Sequence, residues 1–131
     1  MAEIAELIHN ARQARGRARA PYSRYAVGAA LLGVSGRIYP GCNVESSAYP
    51  MTLCAERVAI FGAIAAGETE FEALAIVSEN GATPCGACRQ VIHDQCGDIP
   101  IYLVGDDSDQ AVKYTTSQLL PHPFGPHELE D

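Results

Sequence analysis

The chain has 131 residues, the length of one domain, so scaffold and site are expected to share a single unit spanning 1–131. Apolar residues make up 47% and charged residues 19%, which is too hydrophobic for a disordered chain and enough for a packed core. A formal net charge of −7 repels polyanions, which argues against nucleic acid as the partner and favours a small-molecule substrate.

Residues Met1 to Ile8 carry two glutamates and no long apolar run, so neither a signal peptide nor a membrane anchor is expected, and a cytoplasmic location follows. Ile4, Leu7, Ile8, Ala11 and Ala14 recur at helical spacing, predicting an amphipathic helix from Ala2 to Ala18 that Gly16 and Pro21 bring to an end. Arg12, Arg15, Arg17 and Arg19, followed by Arg24, read as the solvated face of that helix. Val27 to Leu32 and Arg37 to Tyr39 flank the turn signal Ser35-Gly36 and predict an antiparallel hairpin. The small residues of its first strand suggest a helix packed closely on the sheet.

A loop from Gly41 to Pro50 leads to a second helix, predicted from Leu53 to Ala66, with Thr52 as N-cap and Gly67 as stop. Ala73 to Val77 is a continuous apolar run, the pattern of a strand buried on both faces. Pro84 precedes a third helix, predicted from Gly86 to Gln95, and Ile101 to Val104 reads as another buried strand. The Asp106 to Asp109 cluster reads as a turn into a weak strand at Ala111 to Tyr114, with a short helix from Thr116 to Leu120. Strands alternating with helices predict one mixed sheet with helices on both faces, in which the two cysteine-bearing helices lie side by side.

Two clusters carry the chemistry: Cys54-Ala55-Glu56-Arg57 and Pro84-Cys85-Gly86-Ala87-Cys88-Arg89-Gln90, each at a predicted helix start. Thiolates at a helix N-terminus are favoured by the positive end of the helix dipole. A Cys-x-x-Cys pair alone serves redox, structural-zinc and catalytic sites alike. A third sulfur from Cys54 gives three protein ligands and one open position, the arrangement of catalytic zinc, whereas structural zinc has four. Five cysteines, an odd number, fit metal ligands and buried thiols better than a disulfide framework, and Cys42 and Cys96 read as buried apolar residues. His9, His93, His122 and His127 show no competing ligand spacing.

Attack of water on an aromatic amidine carbon needs hydroxide near neutral pH, and zinc lowers the pKa of its bound water from about 16 to about 7. Glu56, two residues after Cys54, can stand beside that water and carry protons without ligating the metal. Three thiolates and one Zn²⁺ sum to a negative centre, and Arg57 is placed to offset it.

These clusters, with Ala20-Pro21-Tyr22-Ser23, Val27-Gly28-Ala29-Ala30, Gly41-Cys42-Asn43-Val44-Glu45 and Leu119-Leu120-Pro121, resemble the small homotetrameric zinc-dependent cytidine deaminases over nearly the whole chain. The resemblance implies a three-layer α/β/α sandwich around one mixed sheet of about five strands, one zinc per chain, and hydrolytic deamination of cytidine and deoxycytidine in pyrimidine salvage. It also implies that Asn43 and Glu45 bind the ribose 3′-hydroxyl, that Tyr25 packs near the base, and that the Ala55 backbone accepts from the substrate amine. By the same resemblance Tyr49 lies at a subunit interface near the 5′ end of the sugar, and Phe124 reaches over a neighbouring subunit's base, so that sites are shared within a homotetramer. Position 25 is Tyr where the family commonly has Phe, and Glu79 to Thr83 is short. A deaminase of a modified cytosine nucleoside or an aminoacyl-nucleoside antibiotic shares the zinc chemistry. A structural zinc module closed by Cys42 is the reading from another class.

Overall fold

Every residue of the run Gly28-Ala29-Ala30-Leu31-Leu32-Gly33 is buried, which requires cover on both faces of the strand it forms. The computed structural model describes residues 2–108 and 110–129 and supplies that cover from one helix on each face of the strand. In chain order the elements are α1 (Ala2–Arg15), β1 (Gly28–Gly33), β2 (Ile38–Cys42), α2 (Ala55–Ala65), β3 (Phe71–Val77), α3 (Gly86–Cys96), β4 (Pro100–Val104), β5 (Val112–Thr115) and α4 (Thr116–Leu119). Short 3-10 turns lie at Tyr49–Met51 and Pro126–Leu129.

The strands form one sheet in the order β2-β1-β3-β4-β5. β1 pairs antiparallel with β2 and β3, β3 pairs parallel with β4, and β4 pairs antiparallel with β5. Side chains alternate across it, as the two-residue period of a strand demands. Ala29, Leu31, Leu74, Ile76, Ile101 and Leu103 face a core with Ala59, Ile60 and Ala63 of α2 and Ile92 of α3. Ala30, Leu32, Ala73, Ala75 and Val77 face the opposite core with Leu7 and Ala11 of α1. The expected three-layer α/β/α sandwich is therefore present, with five strands.

The helix packing is as close as the small residues suggested. A Cβ on Gly28 would lie 2.0 Å from the Ala11 carbonyl oxygen, and one on Gly41 would lie 2.4 Å from the Ala55 carbonyl oxygen and 2.5 Å from the Ala59 nitrogen. Glycine thus sets how near α1 and α2 approach the sheet.

Several local expectations are corrected. α1 stops at Arg15 rather than Ala18, so Arg17 and Arg19 lie beyond the helix, and Arg19 pairs through its backbone with the Val44 segment. Arg15 is more than a solvated residue: its Nε donates to the Ala26 carbonyl at 3.0 Å and its Nη1 pairs with Asp106 at 2.5 Å. Thr52 is not the N-cap of α2. That position belongs to Cys54, while Thr52 Oγ1 accepts from the Ser46 N–H at 2.9 Å. Gly67 does adopt the left-handed backbone of a helix stop, with φ +99°. Cys42 and Cys96 are half-buried rather than fully enclosed. Asp109, the end of the expected acidic turn, lies outside the described residues.

Replacing Gly28 by Ala forces a methyl group into backbone atoms of α1, an overpacking that costs about 1–3 kcal/mol. Urea unfolding of Gly28→Ala should show a lower midpoint than wild type with an unchanged slope. The same replacement at Gly62, where an added Cβ meets nothing within 4 Å, should leave the midpoint near or above the wild-type value.

Candidate active site

Because β2 and β3 are both antiparallel to β1, they run in the same direction, and β4 runs with them. α2 follows β2 and α3 follows β3, so both helices start at the carboxyl ends of co-directional strands, where α/β sheets hold their sites. Their N-caps are Cys54 and Cys85, and neither uses its side chain to cap the helix, which leaves both sulfurs free for another partner. Cys88, in the first turn of α3, is fully buried beside them.

The Sγ atoms of Cys54, Cys85 and Cys88 all lie within 4.8 Å of one another. Tetrahedral thiolate ligands at about 2.3 Å from a zinc ion stand about 3.8 Å apart, so this cluster fits zinc with only a small contraction. Cys42 is not part of the cluster, and it is the only group of this kind among the described residues. The closed four-sulfur module is thereby overturned: Cys42 sits in β2 opposite Gly28, away from the three sulfurs.

Hydrogen bonding from Cys88, helped by Arg57, pulls the Cys54 thiol down to about 5, while Cys88 is pushed up by that same bond and by burial. Arg57 donates from Nη2 to Cys54 Sγ at 3.4 Å, and its Nε is buried with no hydrogen-bond partner among the described residues. Glu56 is only 5% exposed. Burial, reinforced by the charge on Cys54, lifts its carboxyl up to about 7.

A cleft of about 270 Å³ opens over the cluster. Cys54, Ala55, Glu56 and Cys85 line one side of it, and Tyr25, Asn43 and Glu45 another. Ser23, Thr52, Ser78 and Thr83 also line it; no spacing in the sequence marks them, because they come from four separate segments that only the sheet assembles.

Asn43 and Glu45 are already engaged. Asn43 Oδ1 accepts from the Val27 N–H at 2.9 Å and its Nδ2 donates to the Tyr25 carbonyl at 2.8 Å. Glu45 Oε1 accepts from the Tyr22 and Ser23 N–H groups at 3.0 and 3.1 Å, and Oε2 accepts from the Ser23 hydroxyl. These bonds, the Ser23 hydroxyl's first, keep the Glu45 carboxyl ionised by holding its pKa below the usual value. One Asn43 N–H and further Oε2 lone-pair capacity remain for a ligand. The Tyr25 hydroxyl, which a Phe would lack, donates to Asn80 Oδ1 in the segment between β3 and α3.

Tyr49 lies in an adjoining depression with Tyr22, Ser23, Glu45 and Thr52, its ring edge-on to Tyr22 at 5.9 Å. Phe124 is not brought to this cleft. It is 56% exposed and sits with His93 and Asp94 in a separate depression.

Residues 1–102 match the family model described as the cytidine and deoxycytidylate deaminase zinc-binding region. The cytidine deaminase of Sporosarcina psychrophila is 47% identical over 130 residues, covering 97% of this chain and 95% of that one. The cytidine deaminase of Halalkalibacterium halodurans is 42% identical, covering 95% and 96%. Among solved structures, cytidine deaminase from Burkholderia pseudomallei superposes with a TM-score of 0.86 at 40% identity, covering 91% of this chain and 97% of that one. The Mycobacterium tuberculosis enzyme gives 0.78 at 40% identity, covering 92% and 95%.

The three-sulfur set makes a direct prediction for metal content. Cys85→Ala and Cys88→Ala should each lose the zinc that the wild-type chain carries at one per chain, whereas Cys42→Ser should keep it, as read by elemental analysis of purified protein. A Cys85→Ala protein with full occupancy would rule out this ligand set.

Proposed function

The chain belongs to the cytidine and deoxycytidylate deaminase zinc-binding family, and on that premise we propose that it hydrolyses cytidine and deoxycytidine to uridine and deoxyuridine with release of ammonia. The observation that carries this reading is a buried carboxylic acid, Glu56, beside three convergent sulfurs in a nucleoside-sized cleft. Zinc held by Cys54, Cys85 and Cys88 would supply Lewis acidity, making water a nucleophile near neutral pH.

Glu56 is the proton carrier. It takes a proton from the water that adds to C4 of the cytosine ring and gives it to the adjacent ring nitrogen. It then takes the remaining proton from the new C4 hydroxyl and passes it to the exocyclic amine, which leaves as ammonia as the C4–N bond breaks and the carbonyl forms. Its pKa near 7 supports this role, because both the accepting and the donating form are accessible at neutral pH. The Ala55 carbonyl accepts from the exocyclic amine, and Arg57 offsets the negative charge of the thiolate cluster. Asn43 and Glu45 bind the 3′-hydroxyl with the capacity left after shaping the cleft wall, and Tyr25 packs against the base.

In this proposal 1–131 works as one domain, in a cytoplasmic homotetramer serving pyrimidine salvage. Exposed apolar residues support the assembly: Phe61 and Ile64 on α2, Tyr49 and Met51 beside the cleft, and Phe124, which reaches a neighbouring subunit's site. Five free cysteines fit a reducing compartment. The net charge of −7 disfavours nucleic acid, and no described helix is long and apolar enough to cross a membrane.

Glu56→Gln keeps the shape of the side chain but cannot carry the proton, so ammonia release should fall by about 10²- to 10⁴-fold while zinc content stays at one per chain. Wild-type turnover in that variant would assign proton transfer to another group.

Reading of the 3′-hydroxyl can be separated from support of the Tyr22–Ser23 turn. Wild type should favour cytidine over 3′-deoxycytidine by about 10- to 100-fold in kcat/KM, corresponding to buried polar groups left unpaired. Glu45→Gln should narrow that ratio. If it slows both substrates by the same factor, the carboxylate only holds the turn.

A further inference from the structure

Arg89 directly follows Cys88 in the first turn of α3, and the proton transfers above make no use of it. Its guanidinium is part-buried and grips three groups at once. Nε donates to the Pro84 carbonyl at 2.7 Å, Nη2 to the Thr83 hydroxyl at 2.8 Å, and Nη1 to the Leu119 carbonyl at 2.8 Å. The Pro84 carbonyl belongs to the peptide whose nitrogen is that of Cys85, so the first bond fixes the peptide plane from which this sulfur projects. The Leu119 carbonyl ends α4, where a helix leaves carbonyls unpaired.

Cys85 is the ligand that most needs such support. Cys88 is fully buried and Cys54 half-buried with Arg57 against its sulfur, but Cys85 is exposed, so packing does not hold its side chain. Its position depends on the backbone of residues 83 to 85, and Arg89 is what ties that backbone to α4. The neighbouring Gln90 continues the link by donating from Nε2 to the Phe124 carbonyl at 2.6 Å.

We propose that Arg89 is a positioning residue of the metal site, clamping the Thr83–Pro84 segment to the end of α4 so that the Cys85 thiolate stays in reach of the zinc shared with Cys54 and Cys88. This inference rests on the zinc site of the proposed function but not on the identity of the substrate. It acts through geometry: lysine retains the charge, but one ammonium on a flexible stem cannot span the three acceptors that the planar fork reaches.

Zinc affinity of wild type, Arg89→Lys, Arg89→Ala and Thr83→Val can be measured by competition with a chromophoric chelator. Thermal unfolding of the metal-free and zinc-loaded forms complements it. Arg89→Lys should bind zinc about 10- to 100-fold more weakly, the usual effect of losing a group that orients a ligand. Its zinc-loaded midpoint should fall by more than its metal-free midpoint, because the loss is one of binding to the folded state. Thr83→Val, which removes one contact and leaves the guanidinium in place, should show a smaller loss. If Arg89→Ala does not fold, the lysine and valine variants still give the measurement. Zinc affinity within twofold of wild type in Arg89→Lys, or equal destabilisation with and without metal, would overturn the proposal and leave Arg89 a general structural tie. Failure of wild type to bind zinc would overturn the metal site itself, whereas zinc binding without cytidine turnover would overturn only the proposed substrate.

Discussion

Two helices that must begin at the same edge of one sheet constrain the rest of this molecule. Three sulfurs can meet at one ion only if the starts of α2 and α3 converge, and that follows from β2, β3 and β4 running in one direction. Each crossover then returns its helix to the same end of the sheet. α2 must also lie close to the strands, and Gly41 allows this where any side chain would collide with Ala55 and Ala59. The helix starts bring positive dipole ends to the place where thiolate charge collects. The rest of the site is built around that charge, with Arg57 against Cys54 and Glu56 buried in the cleft wall.

Burial of Glu56 and the bonding of Asn43 and Glu45 represent opposite ways of preparing a polar group. Glu56 is removed from water with little compensation, so its carboxyl rises up to about 7 and can exchange a proton. Glu45 is surrounded by donors from Tyr22 and Ser23, which keep it ionised and fixed. Asn43 joins the Tyr25–Val27 segment from the other side. The wall that would face a sugar is therefore rigid before a ligand arrives, and ordering it costs no binding energy. Tyr25 extends the same wall through Asn80, and Arg15 connects it at Ala26 to Asp106. α1, remote from the sulfurs, thus helps set the shape of the cleft.

The sequence by itself determined the elements whose signals are local. The continuous apolar runs of β1 and β3, the apolar stripe of α1, the Gly67 stop and the ligand spacing Cys85-x-x-Cys88 all depend on residues close together in the chain. The number of strands and the choice of Cys54 as third ligand were legible as well, because Glu56 two residues later made the pattern specific. Only the tertiary structure decided where helix ends fall and what the polar loop residues do. Thr52 looked like an N-cap by type, yet α2 begins later because Cys54 must take the extended cap position that places its sulfur beside Cys88. Arg15 looked solvated, but its partners Ala26 and Asp106 are distant in sequence and reach it only when β1 and β4 share a sheet. Cys42 carried the same side chain as the ligands, and its strand register opposite Gly28 removed it from the cluster. Arg89 is the clearest case, since Thr83 and Pro84 lie nearby in the chain whereas Leu119, its third partner, comes within hydrogen-bonding distance only once α4 has packed against α3. Such long-range bonds leave no periodic trace, because a hydrogen bond depends on distance and angle in space, which spacing along the chain does not encode.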